Sequence, residues 1–311
     1  MSEWSGRKIA VLAGGPSHER EISLLSGRAV FDALTSKGLS LFMLDPEGDV
    51  VEKLKKENVE MAFLALHGTF GEDGTIQRML DEAGIPYTGP GARVSEIAFD
   101  KARTQTLFQK AGIRVPAFQI LQKGEEAALR APWEFPFVVK PSRAGSSVGI
   151  SIVSDARDYE KACEEAFHYD DTVLVEQYIP GRELTVGFLG NEALPVVEVI
   201  AQRKFYDYEA KYNDPGTRYE FPARLSPREE KAVVEAASDA YRALGCEVMG
   251  RVDVILGGDG MPTVLEVNTI PGLTAKSLLP KAARASGINF PDLCVKIIEV
   301  SWRKAEAWSN R

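Results

Sequence analysis

The amino-acid sequence predicts an α/β protein that opens with a mostly parallel sheet and continues into mixed α+β units. Three observations carry that expectation. Over residues 1–95, short apolar runs alternate with helically spaced segments, the signature of βα units with helices on both faces of a sheet. A loop of small residues at 142–149 lies between two short apolar runs. A second pair of alternating runs, 251–256 and 263–268, is joined by a Gly/Asp turn and reads as a β-hairpin.

Taken in order, 8–13 is a strand that stops at Gly14 and Gly15, and 22–34 has helical spacing up to Gly38. Residues 39–44 form a strand ending at Asp45 and Pro46, 50–56 a helix, 61–66 a strand ending at His67 and Gly68, and 74–83 a helix closed by Gly84. Ligands in such sheets sit beyond the carboxyl ends of the strands, which singles out 14–23 and 67–75. No Gly-x-Gly-x-x-Gly follows the first strand, so a dinucleotide fold is not supported. A helix over 93–111 leads into a second unit: strands 137–140 and 150–153 around the small-residue loop, a helix at 159–167, and strands 172–176 and 181–190. The stretch 202–222 is long, aromatic and charged, and loops of that length are usually functional. Ser226 and Glu229 form a capping-box pattern for a helix ending near Gly245, and 302–311 reads as a helix end. The expected units are 1–95, 96–185 and 186–311.

The bulk numbers exclude several classes. The chain has 311 residues, 44% hydrophobic and 26% charged, with a net charge of −8, which argues against a general nucleic-acid or anionic-membrane surface. No apolar stretch is long enough to span a membrane, and the N-terminus lacks a secretory h-region. Cys163, Cys246 and Cys294 are scattered, as expected of buried thiols in a reducing cytoplasm. Three histidines argue against a His-rich zinc site.

The hairpin carries the most chemistry. Side chains alternate along a strand, so Val252, Val254 and Leu256 share a side, as do Thr263, Leu265 and Val267. Arg251 and Asp253 face the other way, with Glu266 and Asn268 beside them. Carboxylate and amide oxygens suit Mg²⁺, and an Arg beside them suits a transferring phosphoryl group. A hairpin with one wet face also carries charges by default, so the pattern alone leaves both readings open. The loop 142–149 has backbone amides able to cradle phosphate, but it is not a P-loop and reads equally as a flexible turn. Lys140 ends an apolar strand, where it fits a nucleotide phosphate or plain solvent. On pattern alone Lys101 is an ordinary exposed helix residue. Glu176 and Glu183 are ambiguous strand positions, and Gln177 begins a linker able to read an adenine edge.

Five segments together are more specific: 14–24 (GGPSHEREISL), 66–75 (LHGTFGEDGT), 140–149 (KPSRAGSSVG), 206–212 (YDYEAKY), and the pair 251–253 (RVD) and 266–272 (EVNTIPG). In order and spacing, from residue 8 to 293, they resemble the D-alanine–D-alanine ligases of the ATP-grasp superfamily. The resemblance implies an ATP-grasp fold with an N-terminal Rossmann-like domain, and ATP-dependent joining of two D-alanine molecules through an acyl phosphate. It implies Asp253, Glu266 and Asn268 as ligands of two Mg²⁺ or Mn²⁺ ions, and Arg251 and the Gly272 amide at the developing oxyanion. Lys101, Lys140, Ser146 and Ser147 would hold ATP phosphates; Glu176, Gln177, Ile179 and Glu183 the nucleoside; and Phe205 and Lys211 further ATP contacts. Glu19 would hold the ammonium of the first D-alanine, with His67 near its carboxylate. Ser277 and Leu278 would bind the second substrate. Residues 202–222 would form a lid, and a cytoplasmic homodimer is implied. Gln177, Ala144 and Lys276 depart from residues common in the family. A related carboxylate–amine or depsipeptide-forming ligase is the rival reading, and a non-catalytic nucleotide-binding module the reading from another class.

Tyr212 carries the expectation on the nucleophile, because relatives that use D-lactate typically lack a Tyr there. Tyr212→Phe should raise the D-lactate share of product when D-alanine and D-lactate compete; an unchanged ratio across pH would remove Tyr212 from the specificity argument.

Overall fold

The computed structural model describes residue 4 and residues 6–124, 134–145, 148–200 and 216–309. Its strands are β1 (Lys8–Leu12), β2 (Ser40–Leu44), β3 (Met61–Leu64), β4 (Phe118–Gln122), β5 (Phe137–Pro141), β6 (Ser151–Val153), β7 (Thr172–Gln177), β8 (Gly181–Leu189), β9 (Glu192–Ala193), β10 (Val197–Ile200), β11 (Arg218–Glu220), β12 (Met249–Gly257) and β13 (Pro262–Asn268). Its helices are α1 (Arg20–Ser36), α2 (Val50–Lys56), α3 (Thr75–Ala83), α4 (Ala92–Phe99), α5 (Lys101–Lys110), α6 (Tyr159–Phe167), α7 (Pro227–Leu244), α8 (Leu278–Ala285) and α9 (Phe290–Ser309).

Three sheets organise these elements. The first is parallel, in the order β2-β1-β3, and the predicted βα reading of the N-terminal segment holds. Residues 9–12 of β1 are wholly buried, because both faces of this sheet are covered. The second sheet, β4-β7-β5-β6, is antiparallel. The third runs β11-β10-β8-β12-β13, with β9 on β8. Residue 185 lies inside β8, whose main partners are β10 and β12, so the expected division at 185/186 falls within a strand of the third sheet.

Two expectations need correction. The single helix over 93–111 is two. Asp100 is extended (φ −92°, ψ 98°), and its side chain accepts from the Arg103 amide, so it caps a new helix, α5. Lys101 therefore stands at a helix start, not on a helix face. The 202–222 loop ends in strand β11; its part over 202–215 lies outside the described residues. Edge strand β4 and helix α8 are not among the expected elements, and of α9 only the end is. Helix α7 matches its expectation: Ser226 and Glu229 complete the capping box, and Gly245 closes the helix in the left-handed region.

The core is shared between distant parts of the chain. Leu293, Ile297 and Ile298 of α9 pack in one cluster with β1, β3 and α1. A second cluster joins α7 to the inner faces of β8, β12 and β13, and in it Phe188 stacks on Tyr241 at 4.3 Å. Phe188→Ala should leave a cavity costing about 3–5 kcal/mol and lower the urea midpoint of this unit. An unchanged midpoint would mean that the stack is dispensable.

Candidate active site

The β12–β13 register brings Arg251 opposite Asn268 and Asp253 opposite Glu266. The expected polar side is thus present, but the apolar side differs. A bulge follows Asp253, so Val254 pairs with Val264 and Ile255 with Thr263. Val264, not Leu265, joins the core cluster, and Thr263, though buried, pairs with Ile255 on the opposite face. The inserted residue, Leu265, offers its carbonyl to Gln105 Nε2 at 3.2 Å, which ties α5 to the hairpin.

A cavity of about 610 Å³ opens where the three sheets meet. Glu19, His67 and Glu72 enter from the first unit and Lys101 and Gly145 from the second, while Arg251, Glu266, Asn268, Gly272, Ser277 and Leu278 enter from the third. Asp253 faces Arg251 directly, in a two-pronged pair at 2.8 and 2.7 Å. Such a fork fixes the guanidinium plane. Lys101 is only 11% exposed, against the expectation of a solvated residue. Its Nζ donates to the Ala144 carbonyl at 2.7 Å and lies 3.6 Å from Glu266. The Lys101 amide donates to Ser142 O, and Ser142 Oγ donates to Asp100 at 2.6 Å, so the helix break and the small-residue loop are locked together.

Glu19 precedes α1 without capping it. Its carboxylate lies against Gly68 and Gly145, and a Cβ at either glycine would run into it. Gly68 also has φ +70°, where L side chains are strained. Behind Glu19, His67 Nε2 meets Ser26 Oγ at 3.0 Å, and Ser26 Oγ accepts from the Leu273 amide beside Gly272. Burial lowers the His67 pKa to about 4, helped by the Arg251 charge, while a backbone hydrogen bond at Ile270 opposes the shift. Glu72 moves the other way. Burial, then the Glu19 charge, push it up to about 8, although Gly68 donates to it at 2.6 Å. Ser26 and Glu72 were not expected at the site. Glu72 lies in the LHGTFGEDGT segment, but spacing cannot reveal burial beside a second carboxylate.

Lys140 and Glu176 sit apart from this cavity wall and bond each other at 2.7 Å, 7% and 4% exposed. Gln105 also donates to Glu176, at 2.7 Å. Gln177 is exposed at the end of β7, Ile179 follows it half-buried, and Glu183 lies on β8. Ser277 Oγ accepts from the Thr274 amide at 3.1 Å and closes the turn before α8. Ser146, Ser147, Phe205, Lys211 and Tyr212 lie outside the described residues.

The donor set fits a divalent metal. Asn268 Oδ1 is buried with no hydrogen-bond partner among the described residues, beside the carboxylates of Glu266 and Asp253. Two carboxylates and an amide are hard oxygen donors that leave further positions for phosphate oxygens. Among the described residues no cluster of three or more His, Cys, Asp or Glu forms a metal cage, as expected where one donor is an amide.

A charged cleft between an antiparallel α+β pair and a parallel N-terminal sheet defines an ATP-grasp enzyme, and solved structures agree. A D-alanine–D-alanine ligase from Bacillus anthracis complexed with ATP matches with TM-score 0.86 at 33% identity, covering 97% of this chain and 99% of that one. The VanG D-Ala:D-Ser ligase from Enterococcus faecalis matches with TM-score 0.83 at 31% identity, covering 96% and 100%. Family profiles match too: D-ala D-ala ligase C-terminus over residues 107–299 and D-ala D-ala ligase N-terminus over 44–90. The D-alanine–D-alanine ligase of Methylacidiphilum infernorum is 49% identical over 301 residues, 97% of each chain. The chain belongs to the D-alanine–D-alanine ligase family.

The neutral state of His67 is testable. The unfolded chain takes up this proton near pH 6.5 and the folded chain only near 4, so the stability it contributes is present above pH 6.5 and shrinks as pH falls towards 4. An NMR titration should place the His67 midpoint at about 4. A midpoint near the unperturbed value would show a ring open to water.

Proposed function

We propose that this protein joins two D-alanine molecules into D-alanyl-D-alanine, consuming ATP and releasing ADP and phosphate, for peptidoglycan precursor synthesis. The observation that carries this reading is the cavity whose lining brings Glu19 together with Arg251, Glu266 and Asn268. Glu19 suits an amino-acid ammonium, the others a phosphoryl group in transfer.

A carboxylate is a poor electrophile, so it must first be activated. Glu19 holds the first D-alanine by its ammonium, which aims the carboxylate towards Arg251. Its oxygen attacks the γ-phosphorus of ATP, the bond to ADP breaks, and an acyl phosphate forms. Lys101 and Lys140, with the small-residue loop and its Ser146 and Ser147, steady the phosphates. Glu176, Gln177, Ile179 and Glu183, with Phe205 and Lys211, take the nucleotide. Ser277 and Leu278 seat the second D-alanine, whose ammonium gives up a proton to solvent; the free amine attacks the acyl carbon and loses its second proton as the amide forms. Arg251 and the Gly272 amide stabilise the oxyanion, and phosphate leaves. Asp253, Glu266 and Asn268 would hold Mg²⁺ or Mn²⁺, which neutralises phosphate charge when bound. His67, neutral and buried, positions the Gly272 turn through Ser26. Residues 202–222, with Tyr212, act as a lid that keeps water from the acyl phosphate.

The reading extends to the cytoplasm, supported by three buried free thiols, and to a homodimer, from the family resemblance alone. No helix among the described residues is long and apolar enough to cross a membrane.

The VanG match makes the second substrate the point to test. With ATP and Mg²⁺, D-alanine should release phosphate and yield D-alanyl-D-alanine by mass spectrometry, while L-alanine should not. No D-alanine-dependent release ends the ligase reading, and preferential mixed product with D-serine would move the chain to the D-serine branch.

A further inference from the structure

Glu19 and Glu72 flank one glycine. The Gly68 amide donates to Glu72 Oε2 at 2.6 Å, while the open side of the same Gly68 lies against the Glu19 carboxylate. Both side chains line the cavity. The charged groups around them come from separate elements. His67, at the end of the β3 segment, is neutral above about pH 4. Lys101 of α5 faces Glu266, and Arg251 of β12 is forked onto Asp253. Asp73, next in the chain, is occupied by the Phe70 and Thr75 amides. Two carboxylates thus share a confined pocket, and the Arg251 and Lys101 charges only partly offset the effect of burial and of Glu19 on Glu72.

Resting on the D-alanine reading above, we infer that Glu72 is a second carboxylate of the pocket receiving the first amino acid's ammonium, and that seating the ammonium there displaces a proton from Glu72. In the empty site Glu72 is a carboxylic acid, because two close carboxylates do not both ionise readily in a desolvated pocket. The substrate arrives as a zwitterion and keeps its ammonium. On binding, the Glu72 O–H bond breaks, the proton passes to solvent, and the new carboxylate takes a hydrogen bond from the ammonium. The substrate's positive charge takes the place of the proton, and the pocket ends with the charge it had. The Gly68 amide hydrogen bond serves both forms, since the accepting oxygen needs no proton. A lone Glu19 would bind the ammonium with no such linkage.

The proton must leave for the substrate to bind, so affinity for the first D-alanine rises with pH until Glu72 ionises by itself, near pH 8. In D-alanine-dependent phosphate release at saturating ATP and Mg²⁺, KM for the first D-alanine should fall about 25-fold from pH 6.5 to 8.5. Glu72→Gln keeps the Gly68 hydrogen bond but has no proton to lose, so its KM should be flat over that range and its melting temperature at pH 6 unchanged. In calorimetry, wild-type binding heat should depend on the ionisation heat of the buffer at pH 7, and the variant's should not. A flat wild-type KM, or the same slope in Glu72→Gln, overturns the inference while leaving the ligase reading intact. Absence of D-alanine turnover at every pH overturns both.

Discussion

The hydrogen-bonded register of β12 between β8 and β13 is the constraint on which the site depends. β12 is paired along both edges, so its side chains have only two directions available. Val252, Val254 and Leu256 enter the core against α7, which forces Arg251 and its partner Asp253 to the opposite face, where Arg251 lines the cavity. The bulge after Asp253 then does two things. It swings Val264 into that core, and it turns the Leu265 carbonyl to the Gln105 amide of α5. Docking α5 there sets its first residue, Lys101, beside Glu266.

Electrostatics explains why the cavity is stable as built and ready for anions. Its cations are held by carboxylates: Arg251 by Asp253, Lys101 by Glu266, and, nearby, Lys140 by Glu176. Taking one partner from the buried Lys140–Glu176 pair costs about 3–5 kcal/mol, while the partly exposed pairs impose geometry more than stability. The acidic end has the opposite character. Burial and Glu19 favour the protonated form of Glu72, which stabilises the fold below pH 4.5 and loses that contribution as pH rises through about 8. His67 loses its contribution in the other direction, as pH falls. The two groups oppose each other, and both are neutral in the interval between them.

Connectivity links these ends mechanically. The hydroxyl of Ser26 on α1 joins His67 to the Leu273 amide, so the first unit touches the turn carrying Gly272. Asp100 and Ser142 join the start of α5 to the small-residue loop. Gly145 of that loop abuts Glu19.

Much of this was legible in the chain. Strongly periodic stretches declared themselves: β1 to β3 with their helices, α7 with its capping box, and the polar face of the hairpin. Glu19, Arg251, Glu266 and Asn268 were marked by residue type within segments of recognisable spacing. What failed were statements needing a distant partner. Strict alternation put Thr263 and Leu265 with the core, but the β8–β12 pairing and a bulge put Val264 there. Helical spacing ran through Asp100, but Ser142, far away in sequence, holds the break. Lys101 looked solvated until the loop at Ala144 covered it. Ser26 had no local mark at all, and Glu72 lay in a marked segment whose spacing could not show its burial beside Glu19. The sequence by itself determined which side chains each strand and helix could present, because backbone periodicity is local. Only the tertiary structure decided which of them are desolvated together, because burial and charge proximity depend on elements that meet only when the chain is folded.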